Sequence, residues 1–492
     1  MPDRLPTRRV LAGRVAVAAI IVGGLLLRLW ILNSNLGPID SDEAVGGLIA
    51  RDFAHGRGAV FLWGNVYGGT FEAILAAPLL AITGASAVAW KSVMVVMYAC
   101  ACVLTWRIGL RTVGPSAARL GASLMWLAPA PLVLMSTKAR LYYGTALVLT
   151  CALLLLSLRL VARRSRTDMA LLGLVLGLGV WTAPFVFYVF VPVLVWLALR
   201  SPRRLWDVPL ALPGFLAGSA PWLAFNLRNS WSSLDLGQQG IDTTYNERLR
   251  GFFADLLPRL TGLRTYGGAW QGNGAGKLVF LACLAAFGLL AVACLFRRAP
   301  GLTPLVVIVV AYPFLFALPE ASWYVNEPRY GLFLAPTICL LGAAGVTRLV
   351  RGPPAHLAVV ALAALASVAG LSQLMEFARE FPGSHDLSSQ PVGALGDALE
   401  GRGITTVVAD YWISYAVTFE TDERVIATPI RNVRYRPYDE RVRAAGATDY
   451  VMFPGSAEAR DLEERATQQG IRLGRESVAG FDLYRLDAPL GP

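Results

Sequence analysis

Apolar runs of bilayer-spanning length recur through the first three quarters of the chain, and they constrain its fold more than any other feature. The first, "VAVAAIIVGGLLLRLWIL", is long enough to cross a hydrocarbon core as a helix, which takes about 17 to 25 residues. It runs on into "NSNLGPID" with no small-residue cleavage site, so it reads as a retained helix and not a secretory leader. Charged residues are 16% of the 492, and hydrophobic residues 55%. Ordinary globular domains carry about 25% charged residues. An α-helical polytopic membrane protein follows.

The net charge of +11 raises the question of nucleic acid. Its distribution answers it. The arginines gather in short loops between spans: Arg4, Arg8 and Arg9 at the start, then "RIGLRTVGPSAAR", "RLVARRSR", "RSPRR", "RRAPG" and "RLVRG". That is the positive-inside pattern, so the basic residues report topology and no nucleic-acid partner is implied. Placing each basic loop in the cytoplasm predicts about eleven transmembrane helices, near 11–33, 88–107, 116–136, 142–160, 168–183, 185–199, 207–226, 276–296, 302–318, 331–349 and 355–374. The short apolar segment 69–84 would invert two basic loops if it crossed, so it is expected as a juxtamembrane or re-entrant helix. All six cysteines lie in apolar runs, which indicates no disulfide framework and no thiolate metal site.

The predicted organisation is a transmembrane domain over 1–374, with outer loops 34–87, 227–275 and 319–330, followed by an extracytoplasmic domain over 375–492. In the latter, residues 403–410, 423–427, 448–453 and 480–486 read as strands, and "VGALGDALEG" and "SAEARDLEERATQQG" as helices. The alternation indicates a small α/β layer. No Gly-rich phosphate fingerprint follows a strand, so nucleotide binding is not supported.

The chemistry concentrates in the first outer loop. "PIDSDEAVGGLIARDFAHG" carries Asp40, Asp42 and Glu43 just beyond the first span, with Asp52 further along a short amphipathic helix. Glu72 opens the 69–84 helix, beside the bilayer surface, where desolvation raises a carboxyl pKa and suits proton transfer. An acidic loop alone is an ordinary solvated segment. Here span ends supply cations to match: Lys138 and Arg140 in "STKARLYYG", and Arg329 in "WYVNEPRYG". Such residues also serve as interfacial anchors. Together with the carboxylates they suit a phosphate head group whose tail lies in the bilayer, with arginine the better bidentate partner.

In order and spacing these motifs resemble the GT-C class of integral-membrane glycosyltransferases, particularly the branch of protein O-mannosyltransferases and the lipid A aminoarabinose transferase. The resemblance rests on "DSDE" (40–43), "YGGTFEAILAAPLLAITG", "STKARLYYGTALVLTCALLLL", "APWLAFNLRNSW" and "NEPRYGLFLAPTICLLGAAG", and covers most of residues 10–350. It implies a hexosyl- or pentosyltransferase that moves a sugar, with inversion, from a polyprenyl-phosphate donor lipid to an extracytoplasmic hydroxyl on a glycan, lipid or protein. In that scheme Asp42 is the general base. Glu43 and Glu72 orient acceptor or sugar. Lys138, Arg140 and Arg329 stabilise the departing phosphate. Asp40, Tyr142 and Glu327 contact substrate. Asp40 and Asp42 could also offer oxygen ligands to Mg²⁺ or Mn²⁺. The C-terminal segment departs from the eukaryotic protein mannosyltransferases, which are expected to carry a β-trefoil, so the acceptor does not carry over. Composition rich in Ala, Arg and Gly suggests a GC-rich bacterial genome and hence the inner (plasma) membrane. Two other readings stay open: a lipid or solute flippase, and an oligosaccharide or polymer ligase of similar architecture. Transporters place polar groups mid-membrane, whereas here the acids sit in outer loops.

Overall fold

The computed structural model describes residues 5–235, 243–296, 299, 301–320, 325–381 and 390–490. Parts of the expected outer segments, 236–242, 321–324 and 382–389, lie outside the described residues, as do Arg297, Arg298 and Pro300 of one basic loop. Among the described residues seven helices are long and apolar enough to cross a membrane: Leu11–Leu32, Ala87–Thr112, Tyr143–Ala162, Pro202–Arg228, Ala275–Leu295, Pro328–Leu349 and Pro353–Glu380. Shorter apolar helices cover Phe71–Thr83, Pro184–Arg200 and Thr303–Phe316. The run read as one span over 116–136 is two helices, Pro115–Leu127 and Ala130–Met135. Pro129 and Pro131 break it, because each removes an N–H donor and crowds the preceding turn.

The chain forms two compact units. The first comprises Met1–Ile31, Met94–Thr137 and Tyr143–Phe377. Its helices show apolar side chains outward, as Leu278, Leu289 and Leu295 do on one span. In water that would be a large apolar patch; in lipid it is the proper solvent. Inside the unit, helices Arg166–Thr182 and Leu212–Arg228 meet backbone to backbone. A Cβ at Gly173 or Gly177 would fall 1.9 or 2.2 Å from the carbonyl oxygens of Ala211 and Phe215. On the facing helix a Cβ at Gly214 or Gly218 would fall 2.1 or 2.5 Å from the carbonyl oxygens of Ala170 and Leu174. Small residues four apart on both helices permit this approach, which supplies packing where lipid removes any hydrophobic drive.

The second unit comprises Leu32–Val93, Lys138–Tyr142 and Ala378–Pro492. It gathers the segment after the first membrane helix, a five-residue turn and the C-terminal segment. The C-terminal part holds a five-stranded sheet in the order β2-β1-β3-β5-β4. Strands β1 (Thr406–Ala409), β2 (Ile426–Pro429) and β3 (Asp449–Met452) are parallel neighbours, joined by helical crossovers. Strands β4 (Leu473–Val478) and β5 (Phe481–Leu486) close it as an antiparallel hairpin. The four expected strands and two helices are present. The structure adds β4 and two helices, Tyr411–Glu420 and Arg436–Ala444. The helix Tyr411–Glu420 lies against the loop helix Ser41–Ala54, close enough that a Cβ on Gly47 would meet the Phe419 ring at 2.5 Å.

Candidate active site

The motif "DSDE" is a helix start. Asp40 is the N-cap of Ser41–Ala54: its Oδ1 accepts the Glu43 backbone N–H at 2.8 Å, and the Glu43 carboxylate returns to the Asp40 N–H at 3.3 Å. This reciprocal capping box satisfies two donors that the helix would leave orphaned. Both side chains are fully buried, so their charges need partners. Glu43 accepts from the Lys91 ammonium at 2.7 and 2.9 Å and from the Ala139 N–H at 2.6 Å. Trp90 Nε1 donates to the Glu43 carbonyl at 2.8 Å. The second Asp40 oxygen accepts from Arg140 Nη2 at 3.2 Å.

Lys138 lies 3.9 Å from the same Glu43 carboxylate and makes no hydrogen bond among the described residues. Burial, opposed by Glu43 and reinforced by Lys91, pushes its ammonium down to about 8. Burial pushes the Asp40 carboxyl up, but Arg140, Lys138 and the Glu43 N–H outweigh it and hold the group below its ordinary range. Three cations, Lys91, Lys138 and Arg140, thus surround two carboxylates.

Asp42 differs. It sits in the first turn of the same helix, yet its side chain is 24% exposed. Its Oδ1 accepts two hydrogen bonds from the C-terminal segment: Tyr411 Oη at 2.5 Å and Arg434 Nη2 at 3.1 Å. Arg434 Nε also donates to Tyr411 Oη. Burial and the adjoining Asp42 charge raise the Tyr411 phenol well above its ordinary value. Burial disfavours the Arg434 cation, but Asp42 and Tyr411 more than compensate and raise it. The ring of Tyr67 meets that of Tyr142 edge-on at 6.5 Å. Tyr142 has φ +71 at the end of the 138–142 turn, and its ring occupies the space where a Cβ on Gly68 would stand.

Of the residues singled out from sequence, Asp40, Asp42, Glu43, Glu72, Lys138, Arg140 and Tyr142 all belong to this unit. Glu72 is buried in the first turn of Phe71–Thr83. Glu327 and Arg329 belong to the membrane unit, where they pair with each other and Arg329 lies over the Tyr330 ring at 5.1 Å. Lys91, Tyr411 and Arg434 were not singled out. Lys91 carried a signal, since a charge inside an apolar span is costly and generally functional. Tyr411 and Arg434 carried none, being over 360 residues from Asp42.

The donor set does not suit the Mg²⁺ or Mn²⁺ suggested for Asp40 and Asp42. Both oxygens of Asp40 are committed, one to the helix cap and one to Arg140, and Asp42 Oδ1 holds two donors. Among the described residues no cluster of three or more His, Cys, Asp or Glu side chains could hold a metal ion.

A polytopic membrane chain that carries a buried acid-and-cation cluster on a unit with a small α/β sheet defines a class of architecture. No protein-family model matches the sequence, and no curated protein matches it. Solved structures do. ArnT from Cupriavidus metallidurans, bound to undecaprenyl phosphate, aligns over 97% of this chain and 99% of its own at 12% identity and a TM-score of 0.62. The apo form of that protein aligns over 98% and 100% at 13% identity and the same TM-score. The Archaeoglobus fulgidus oligosaccharyltransferase, in a complex with zinc and sulfate, aligns over 95% of this chain and 73% of its own at 13% identity and a TM-score of 0.50. The chain therefore has an ArnT-like fold, which runs over almost its whole length.

Proposed function

We propose that this protein is a membrane glycosyltransferase that moves a sugar, with inversion, from a polyprenyl-phosphate-linked donor to an acceptor hydroxyl on the extracytoplasmic side. The observation that carries this reading is the division within "DSDE": two carboxylates are sealed among cations, and Asp42 alone of the three keeps access to solvent. In the reaction Asp42 takes the proton of the acceptor hydroxyl. The freed oxygen attacks the anomeric carbon, and the bond to the phosphate oxygen breaks with its electron pair leaving on phosphate. The growing phosphate charge is met by Lys138 and Arg140, whose surroundings hold more cations than carboxylates. Tyr142 and Tyr67 offer aromatic faces to a sugar ring. Asp40 and Glu43 act by holding the cations in place, and Glu72 by orienting acceptor or sugar.

The fold shared with the undecaprenyl-phosphate-bound ArnT supports the donor class. The acceptor is a glycan, lipid or protein at the cell envelope. The N-terminus is cytoplasmic and the C-terminal unit extracytoplasmic. A cysteine introduced by Ser456→Cys should be labelled by an impermeant thiol reagent from outside; labelling only from the cytoplasm would reverse the topology.

The deciding experiment is transfer of labelled sugar from a panel of short-chain polyprenyl-phosphate sugars, with purified protein and a crude envelope acceptor, beside Asp42→Asn. Loss of general-base catalysis should lower turnover by roughly 10²- to 10⁴-fold while the protein still inserts and folds. Near-normal turnover in Asp42→Asn would remove Asp42 from the role of base. Transfer from oligosaccharide donors only would favour a ligase, and none from any donor would favour a flippase.

A further inference from the structure

We infer that Tyr411 and Arg434 position the Asp42 carboxylate for transfer, so that the C-terminal α/β segment completes the catalytic site. The inference rests on the reading of Asp42 as the base.

A carboxylate turns about its own bond unless something fixes it. Here two donors converge on one oxygen, Oδ1, from the side of the C-terminal segment. The third contact, from Arg434 Nε to Tyr411 Oη, gives the set a direction. Arg434 donates to the phenol oxygen, which commits the phenol proton to Asp42, and each bond polarises the next. No hydrogen bond reaches Oδ2 among the described residues. Holding Oδ1 therefore aims Oδ2 outward as the acceptor for a proton.

The two donors are themselves held. Tyr411 is the first residue of Tyr411–Glu420, where the Asp410 side chain caps the helix by accepting the Trp412 N–H at 2.8 Å. One turn on, Tyr415 is fully buried, and its hydroxyl oxygen accepts the backbone N–H groups of Arg434 at 2.8 Å and Tyr435 at 3.2 Å. Tyr435 stacks on Trp63 of the outer loop, with ring centroids 3.8 Å apart. Gly64, at φ +75, brings that loop against the Arg434 backbone. A pair fixed at both its backbone and its tip is built to hold a geometry.

The competing role is a mere clasp between the loop helix and the C-terminal segment. The unit contains such a clasp elsewhere: Arg51 of the same helix pairs with Asp422 and Glu423 and touches nothing at Asp42. Full-length Arg434→Met, Tyr411→Phe, Arg434→Lys, Arg51→Met and Asp42→Asn proteins should be compared for sugar transfer, after their thermal midpoints in detergent are matched or recorded. Positioning predicts that Arg434→Met and Tyr411→Phe lower kcat by roughly 10- to 100-fold with the donor KM unchanged, since small misplacements of a reacting group cost this much. Arg434→Lys should recover part of the loss, and Arg51→Met should stay near wild type. A loss in Arg51→Met equal to that in Arg434→Met would reduce the contact to a clasp and overturn the inference. So would transfer lost in Asp42→Asn but intact in Arg434→Met and Tyr411→Phe. Full transfer in Asp42→Asn would instead overturn the reading of Asp42 itself.

Discussion

Asp42 and Glu43 are neighbours in sequence and opposites in setting. Glu43 is sealed, shared by Lys91, Lys138 and a backbone N–H, and spends its charge on holding the turn 138–142 against the loop helix. Asp42 stands at the rim with one oxygen tethered. Adjacent carboxylates on a helix point about 100° apart, so one motif can furnish an interior counter-ion and a reactive edge at once. An acidic run is therefore not a set of interchangeable acids, and its chemistry depends on which member the fold leaves open.

The comparison breaks most visibly at Glu43. Glu43→Gln removes the carboxylate nearest to the buried Lys91 and Lys138 ammonium groups, so it should destabilise the protein by about 3–5 kcal/mol. A large drop in thermal midpoint in detergent would show this, and a midpoint like that of Asp42→Asn would erase the distinction. Gly68→Ala should cost less, about 1–3 kcal/mol, because φ is +83 there and the Tyr142 ring fills the Cβ position. Unchanged stability and transfer would mean that Tyr142 moves aside freely. The smallest effect concerns pH. In the proposed site Lys138 attracts phosphate only when protonated, and burial pushes its ammonium down to about 8. The donor KM should be flat below that pH and rise above it. Lys138→Met should start from a higher KM and lose the rise. An unchanged rise in that variant would assign it to another group.

The membrane-spanning part was legible because apolar length is a local property of sequence. Its misreading at 116–136 was local too, where two prolines divided a run whose hydropathy is continuous. The acidic motif was legible as a cluster, but not the unlike roles of its members. Those roles depend on Lys91 in a span, on the Ala139 backbone and on side chains far along the chain. Tyr411–Glu420 escaped notice because "YWISYAVTFE" is aromatic and β-branched, a composition that favours strands, and its cap and packing override that preference. Strand β4 escaped because it is an edge whose residues are largely exposed, which leaves no alternation to read.

The hydrogen bond from Arg434 to Asp42 joins residues 392 positions apart. Chains are made from the N-terminus, and domains fold as they emerge. A nascent chain that has reached only the helix Pro353–Glu380 holds Asp42 and the residues of its capping box, yet has no Tyr411 or Arg434 to set beside that carboxylate. In the proposed mechanism the base stays unaligned until both donors are made. On the proposed reading synthesis order acts as an interlock: the geometry around Asp42 is complete only after the ribosome has passed residue 434, and a chain cut short before it would lack a donor.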